Sequence, residues 1–260
     1  MTEAGLAFNE VAELYHRIRP RYPQALFEAL IKLTNLPRSA RVLEIGAGTG
    51  IATVELVRRG FQVTALEPGP EMATILKRNL RDDQVEVVES KFETWEAADA
   101  KFDLIVSFTA FHWLDPQTRF QRISELLTPT GSLGVIKYHH VDGGDRDFFE
   151  ATQTYYNQFQ PHQYQFHLPE ALDFQSGVQA EITASGLFQA PLTRTYLAAE
   201  TYRRADYEQL LLTYPDHRLL EEPQRSQLLQ AIGDLIDRDF GGKVCKQYLH
   251  ELVLASKLSY

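Results

Sequence analysis

A glycine-rich loop is the first place where residue types and spacing indicate chemistry. Gly46, Gly48 and Gly50 in GAGTG follow a short apolar run, RVLEI, at positions 41–45. In a doubly wound sheet the loop between the first strand and the next helix binds nucleotides, and glycines let the backbone approach a ligand closely. Ile51 occupies the position where a dinucleotide fingerprint needs its third glycine, so this loop suits a ribose and a zwitterionic amino-acid tail better than a pyrophosphate. A tight strand-to-helix turn without a ligand is the alternative.

An acidic residue at the end of the next strand strengthens the ligand interpretation. Glu67 ends the run FQVTALE, and a carboxylate there can accept hydrogen bonds from both ribose hydroxyls while repelling a 2′-phosphate. Pro68 then turns the chain, and Met72 is positioned to pack against a flat base. Alone, Glu67 could be a solvated charge at a strand end; together with the glycine loop it predicts a nucleoside site.

Candidate catalytic groups follow the fourth and fifth strands. His112 comes after FDLIVSF, where it could act as a general base toward a hydroxyl, whereas a carboxylate acceptor needs only orientation. Packing against Trp113 is the alternative role for this histidine. Tyr138, His139 and His140 form a second polar cluster, which we expect to face the same cleft.

Alternating strand and helix patterns must position these residues. The strands are predicted at 41–45, 61–67, 85–90, 102–108 and 132–138, with late strands at 192–202 and 246–258. The helices are predicted at 50–59, 70–80, 116–127, 204–213 and 223–239, with Asp115 as the N-cap of the third. Apolar strands that alternate with helices predict an α/β fold with a doubly wound, mostly parallel sheet.

We expect one domain over residues 1–260. It would comprise a helical lid at 1–40, a cofactor-binding core at 41–140, and helical cap elements at 141–190 and 203–240 around the last two strands.

Composition limits the partners. The chain has 260 residues, 35 acidic against 26 basic, and a formal net charge of -9, which argues against nucleic acid as the acceptor and against an anionic membrane surface. A single cysteine, Cys245, allows no intramolecular disulfide and no cysteine-rich metal cluster, and no apolar run is long enough to span a membrane. We expect a cytoplasmic protein, monomer or homodimer, that acts on a small molecule without a metal.

The motifs resemble those of a known family. VLEIGAGTG followed by ALEPGPEM is similar to motif I and its successor in the class I S-adenosylmethionine-dependent methyltransferases, and FDLIVSFTAFHWLD resembles their motif IV. The N-terminal FNEVAELYHRIRPRYPQALFEAL resembles a segment of the small-molecule branch, which includes trans-aconitate and ubiquinone-biosynthesis methyltransferases. The resemblance implies a Rossmann-like sheet of seven strands in the order 3-2-1-4-5-7-6 with the seventh antiparallel. It also implies methyl transfer from S-adenosyl-L-methionine, which leaves S-adenosyl-L-homocysteine.

The resemblance also implies site residues. Positions expected at the cofactor are Tyr15, Arg19, Glu44, Gly46, Ala47, Gly48, Glu67, Pro68, Met72, Phe92, Glu93 and Ser107, and His112 is the catalytic candidate. Lys91 departs from the family, many members of which have Asp there. An Asn-Pro-Pro-Tyr motif, typical of amino methylation in nucleic acids, is absent after the fourth strand. Two alternatives stay open: a nicotinamide-dependent oxidoreductase on a similar sheet, and a non-catalytic S-adenosylmethionine-binding module.

Overall fold

The protein is described by a computed structural model over residues 9–80, 85–159 and 168–258. One seven-stranded sheet with the order β3-β2-β1-β4-β5-β7-β6 forms its centre. Its strands are β1 (Arg41–Ile45), β2 (Gln62–Leu66), β3 (Val85–Val88), β4 (Phe102–Phe108), β5 (Leu127–Gly144), β6 (Leu192–Arg203) and β7 (Lys243–Ser256). The first five strands are parallel, and β7 is antiparallel to both β5 and β6. The predicted fold class and strand order are confirmed.

Strand register gathers the polar residues identified in the sequence at one edge of the sheet. Ile45 pairs with Leu66, and Ser107 pairs with Val135. The loops that follow β1, β2, β4 and β5 therefore leave the sheet side by side, because parallel strands end at a common edge.

Helices cover both faces of the sheet. They are α1 (Ala12–Ile18), α2 (Gln24–Thr34), α3 (Thr53–Arg58), α4 (Pro70–Asn79), α5 (Arg119–Leu126), α6 (Arg146–Phe159), α7 (Val178–Ser185), α8 (Arg204–Leu211), α9 (Pro215–Arg218) and α10 (Gln224–Asp239). Within the described ranges no helix is long and apolar enough to cross a membrane.

The predicted start of α5 is wrong. The helix begins at Arg119, three residues later than expected, and Thr118 occupies the N-cap position. The Asp115 carboxylate instead accepts hydrogen bonds from the Gln117 backbone N–H (2.9 Å) and the Thr118 hydroxyl (3.0 Å). These bonds stabilise a turn before the helix, so Asp115 keeps a capping role but on a different turn.

Three apolar clusters hold these layers together. On one sheet face Val42 and Val106 pack with Leu30 and Leu56, and on the other face a separate cluster joins the strands to α5 and α7. Burying each large aliphatic side chain contributes about 1.5–3 kcal/mol. The third cluster joins α6, α8 and α10 to the long strand β7, largely through Phe148, Tyr207, Ile232 and Tyr248. The predicted cap is therefore packed onto the sheet through the extended ends of β5 and β7.

The N-terminal helices connect the sheet edge to the cap. Helix α1 packs against both α4 and α8. The Arg78 guanidinium pairs with the Glu13 carboxylate at 2.5 and 2.9 Å, and Arg17 donates to Gln209 Oε1 at 2.6 Å. Helix α1 thus lies between the glycine loop side and the cap side of the molecule.

Candidate functional site

A cavity of about 460 Å³ opens at the edge of the sheet where the parallel strands end. Residues from the lid, the core and the cap line it: Tyr15, Arg19, Gly46, Gly48, Glu67, Met72, Phe108, Thr109, Ala110, His112, Trp113, Lys137, Tyr138, His139, His140, Pro169, Phe174, Tyr214 and Pro215. We call the part formed by Gly46, Gly48, Glu67 and Met72 the glycine-loop end. The part formed by Lys137, Tyr138, His139, His140, Phe174 and Tyr214 is called the cap end.

The glycine loop adopts the backbone that its composition predicts. Gly46, Gly48 and Gly50 have φ values of 71°, 59° and 84°, in the region that favours glycine. A Cβ on Gly50 would come within 2.5 Å of Leu76 Cδ1, so this glycine permits close packing against α4. A Cβ on Gly48 would meet no atom within 4 Å, which leaves the space beside the loop open to a ligand.

Glu67 is fixed at the end of β2 by backbone donors. Its Oε2 accepts from the Gly48 N–H at 2.7 Å and its Oε1 from the Gly69 N–H at 2.8 Å. Burial raises the pKa of Glu67, and these two donors oppose that rise. Each carboxylate oxygen can accept a second hydrogen bond, so the group retains acceptor capacity on its cavity side.

Glu44 is a second buried carboxyl beside the loop. Only 1% of its surface is exposed, and its Oε2 has no hydrogen-bond partner among the described residues. Burial raises the pKa of Glu44 to about 8, and the neighbouring Glu67 adds to the rise. Glu44 itself is not among the residues that line the cavity.

Arg19 joins the lid to the cap. Its guanidinium lies over the Tyr15 ring (4.8 Å) on one side and the Tyr214 ring (4.4 Å) on the other. It donates to the Tyr138 hydroxyl and, at 2.6 Å, to the Thr213 carbonyl. Tyr15 and Arg19 therefore line one side of the cavity, and their role as a lid stays a prediction.

Several residues predicted at the cofactor do not line the cavity. They are Glu44, Ala47, Pro68, Phe92, Glu93 and Ser107. The buried Phe92 ring packs under the Arg122 guanidinium (5.2 Å), and Glu93 Oε1 accepts from the Asp115 N–H at 3.2 Å. The Ser107 hydroxyl donates to the Ile45 carbonyl at 3.0 Å and so ties β4 to β1. The contacts described for Phe92, Glu93 and Ser107 support the surrounding structure, and a cofactor role for any of the six stays a prediction.

The cap end brings together the polar cluster predicted at the end of β5. His139 and Glu251 are joined at 3.0 Å between Nε2 and Oε2, and the Ser176 hydroxyl donates to Glu251 Oε1 at 2.9 Å. His140 lies between the rings of Tyr138, Tyr214 and Tyr248. Burial lowers the pKa of His140 well below its ordinary value, and nearby cations lower it further. His140 is therefore neutral near pH 7.

His112, the predicted catalytic residue, also lines this cavity. Its ring contacts Trp113 with 4.5 Å between centroids, while part of the side chain is exposed. Partial burial, together with the positive charges of Lys137 and Arg119, lowers the pKa of His112 below its ordinary range. The imidazole is neutral near pH 7 and can accept a hydrogen bond.

Sequence analysis did not identify the residues that tie the lid to the glycine loop. His16 Nδ1 is 2.9 Å from the Thr49 hydroxyl, and the Asn79 amide donates to the Thr49 carbonyl at 3.2 Å. These three residues come from α1, the loop and α4, and no motif connects them.

Lys137 was not singled out as a site residue, and Thr109 was noted only within motif IV. Thr109 has a φ of +55°, which is strained for a β-branched residue. Its N–H donates to the Ile136 carbonyl (2.7 Å), and its hydroxyl bonds to that of Tyr22 (2.8 Å). Strained backbone at a cavity wall is typical of functional sites. In the sequence, the feature that could have identified Lys137 is its position as a lysine near the end of a buried strand.

The family comparison supports the sequence interpretation. Residues 42–131 match the model of a methyltransferase domain. An uncharacterized methyltransferase of Mycobacterium tuberculosis is 35% identical over 135 residues, which cover 52% of this chain and 53% of that protein. A probable S-adenosylmethionine-dependent methyltransferase of Saccharomyces cerevisiae is 26% identical over 147 residues, or 55% of this chain and 50% of the relative. The chain thus spans about half the length of the curated relatives it matches.

Solved structures show the same fold. A protein of Anaeromyxobacter dehalogenans, provisionally named a type II methyltransferase, has a TM-score of 0.62 at 18% identity, with 92% of this chain and 97% of that chain covered. Phosphoethanolamine N-methyltransferase 2 of Haemonchus contortus, solved with S-adenosylhomocysteine, has a TM-score of 0.51 at 16% identity, with 94% and 57% covered.

These findings favour the methyltransferase interpretation over the nicotinamide-dependent alternative. The matched domain contains the glycine loop, Glu67 and the fourth strand, and the sheet around it has the predicted order. Residues 42–131 thus match a methyltransferase domain, and the sheet around them has the fold of the solved structures.

Proposed function

We propose that this chain transfers a methyl group from S-adenosyl-L-methionine to the carboxylate or hydroxyl of a small molecule. The observation that carries the proposal is one continuous cavity. The glycine loop and Glu67 form one end, and the polar groups that follow β4 and β5 form the other. A cofactor and an acceptor in such a cavity would lie directly beside each other.

The chemistry of the glycine-loop end fits the cofactor. Glu67 can accept from vicinal ribose hydroxyls through the acceptor capacity that its two backbone bonds leave. The open space at Gly48 admits a ligand against the backbone, and Met72 supplies an apolar wall for a base.

S-Adenosylmethionine carries a methyl group on a sulfonium, which is a good leaving group. The residues of this chain therefore need chiefly to hold the acceptor in line and at short range, and such orientation accounts for a large part of a rate enhancement. Tyr15 and Arg19 form the wall between lid and cap and reduce water access to the reacting atoms. The strained Thr109 backbone, fixed by Ile136 and Tyr22, forms a rigid floor between the two ends.

His112 is the residue that we propose to contact the acceptor group. Because its pKa is lowered, it presents a neutral ring nitrogen near pH 7. A neutral imidazole can accept a hydrogen bond from an acceptor hydroxyl and orient it. A lowered pKa makes it a weak base, so orientation contributes more than proton removal.

A small acceptor in a cytoplasmic setting is part of the same proposal. A net charge of -9 disfavours a polyanionic partner, and a cavity of about 460 Å³ suits a molecule of modest size. A monomer or homodimer is part of the proposal.

Isothermal titration with S-adenosylhomocysteine tests the cofactor site. We expect the wild type to bind, and Glu67→Gln to bind roughly tenfold to a hundredfold more weakly because the charged acceptor for two hydroxyls is lost. Glu86→Gln is the matched control, since Glu86 is an exposed carboxylate on β3 away from the cavity. No binding by the wild type, or equal binding by the two variants, would contradict the proposal. Transfer of a labelled methyl group into a fractionated metabolite extract would then identify the acceptor.

A further inference from the structure

Lys137 places a positive charge at the cap end of the cavity. The residue lines the cavity near the end of β5, and its ammonium makes no hydrogen bond or ion pair with any residue in the described ranges. Arg19 lines the same cavity and adds a second positive charge. Burial lowers the pKa of Lys137, while Glu251 partly opposes this effect.

The carboxylates nearby have other partners. Glu251 is the cross-strand neighbour of Lys137 on β7, but its two oxygens are engaged by His139 and Ser176. Glu67 is the only carboxylate among the described lining residues, and it lies at the glycine-loop end with both oxygens accepting from backbone N–H groups. The carboxylate nearest to Lys137 is therefore already hydrogen-bonded to two other side chains.

The remaining polar groups do not supply negative charge either. His112 and His140 are neutral near pH 7 and act as hydrogen-bonding groups. The other walls here are aromatic or apolar, including Phe174, Trp113 and Tyr214. A partly buried ammonium in such surroundings is stabilised when an anion pairs with it, and charge-assisted bonds of this kind are the strong ones.

We infer that the acceptor carries an anionic oxygen group, a carboxylate or a similar oxyanion, and that Lys137 binds it. This inference rests on the proposed function and narrows it, because the positive cap end disfavours a protonated amine as the acceptor. Lys137 then determines specificity: it selects for negative charge and places the bound molecule beside His112. The methylated atom is the bound carboxylate itself or a hydroxyl on the same molecule.

The test uses three ligands of similar shape and different charge. Benzoate, benzamide and benzylamine each have one ring, which a 460 Å³ cavity accommodates. Each is titrated into the full chain saturated with S-adenosylhomocysteine, for the wild type, Lys137→Met, Lys137→Arg and Lys32→Met. Lys32 is an exposed lysine on α2 and serves as the control for loss of one positive charge.

We expect the wild type and Lys32→Met to bind benzoate roughly tenfold more tightly than benzamide, and benzylamine most weakly. Lys137→Met should lose the preference for benzoate while binding S-adenosylhomocysteine as the wild type does, and Lys137→Arg should retain much of the preference. Equal binding of the acid and the amide, tighter binding of the amine, no binding by any of the three, or an unchanged preference in Lys137→Met would each overturn the inference. Failure of the proposed function gives a different result, because the wild type would then not bind S-adenosylhomocysteine before any of the three ligands is added.

Discussion

The two ends of the cavity are built in different ways. The glycine-loop end is formed by short turns directly after β1 and β2, and main-chain N–H groups fix its carboxylate. The cap end is formed by side chains from β5, from residues 169–174 and from residues 214–215, which are far apart in the sequence. Acidic groups characterise the first end and basic groups the second, so each end selects a different kind of ligand.

The difference shows how a common scaffold accommodates a variable partner. Backbone donors and positive-φ glycines depend only on the conformation of one turn. The same loop can therefore bind the same ligand fragment in different proteins. Side chains of the cap can be substituted without disturbing the sheet, because they belong to elements outside the sheet core. The predictions below test whether the two ends depend on each other and whether their charges act in opposite directions.

Removing Arg19 should have the largest effect, because this residue connects the two ends. Arg19→Met leaves the Thr213 carbonyl and the Tyr138 hydroxyl without the guanidinium, and we expect the free energy of unfolding to fall by about 3 kcal/mol. Urea denaturation measures the change. Arg17→Met is the control on the same helix, since Arg17 makes an exposed bond to Gln209 and should matter by less than about 0.5 kcal/mol. If both variants lose the same free energy of unfolding, Arg19 does not stabilise the protein by connecting the two ends of the cavity.

At the glycine-loop end, stability should fall as the pH rises. Burial raises the pKa of Glu44 to about 8 in the folded protein from an ordinary value near 4.5, so folding binds a proton between these values. Relative to Glu44→Gln, the wild type should lose about 3 kcal/mol of unfolding free energy between pH 5 and pH 8. Chemical denaturation of both proteins across this range measures it. Parallel pH profiles would show that Glu44 does not titrate in this way.

Near the cap end, stability should instead fall as the pH falls. His250 is fully buried, neither ring nitrogen has a partner among the described residues, and burial lowers its pKa to about 4. Its contribution to stability is complete above pH 6.5 and is lost as the pH falls through 4. His250→Leu should therefore reduce the loss of unfolding free energy between pH 6.5 and pH 4 by about 2 kcal/mol. If the variant is as acid-sensitive as the wild type, another group causes the loss.

The smallest change in stability is expected at the glycine loop. Gly48 and Gly241 have φ values of 59° and 63°, and a Cβ on either would meet no atom within 4 Å. Alanine at each position should cost a similar amount of stability, about 1 kcal/mol, because the backbone strain is the same. Only Gly48→Ala should also weaken S-adenosylhomocysteine binding, as measured by titration. If both variants bind S-adenosylhomocysteine equally well, the open space beside Gly48 is not part of the ligand site.

Much of the fold could be predicted because its signals are local. The strands around RVLEI and FDLIVSF are apolar on both faces and are bounded by turn residues, so their bounds match the structure at 41–45 and 102–108. The start of α5 was wrong, because Asp115 has the chemistry of an N-cap but is used in the preceding turn. The continuation of β5 to Gly144, beyond the predicted end at 138, depends on pairing with β7 more than 100 residues later.

The sequence by itself determined the glycine loop, Glu67 and the sheet order implied by their resemblance to a family. These features depend on residue type, on spacing and on backbone geometry within a few residues. Only the tertiary structure decided that Lys137 lines the cavity, that Arg19 joins lid to cap, and that the Ser107 hydroxyl ties β4 to β1. Charge compensation and burial depend on which distant segments meet, and the spacing of residues along a chain does not contain that information.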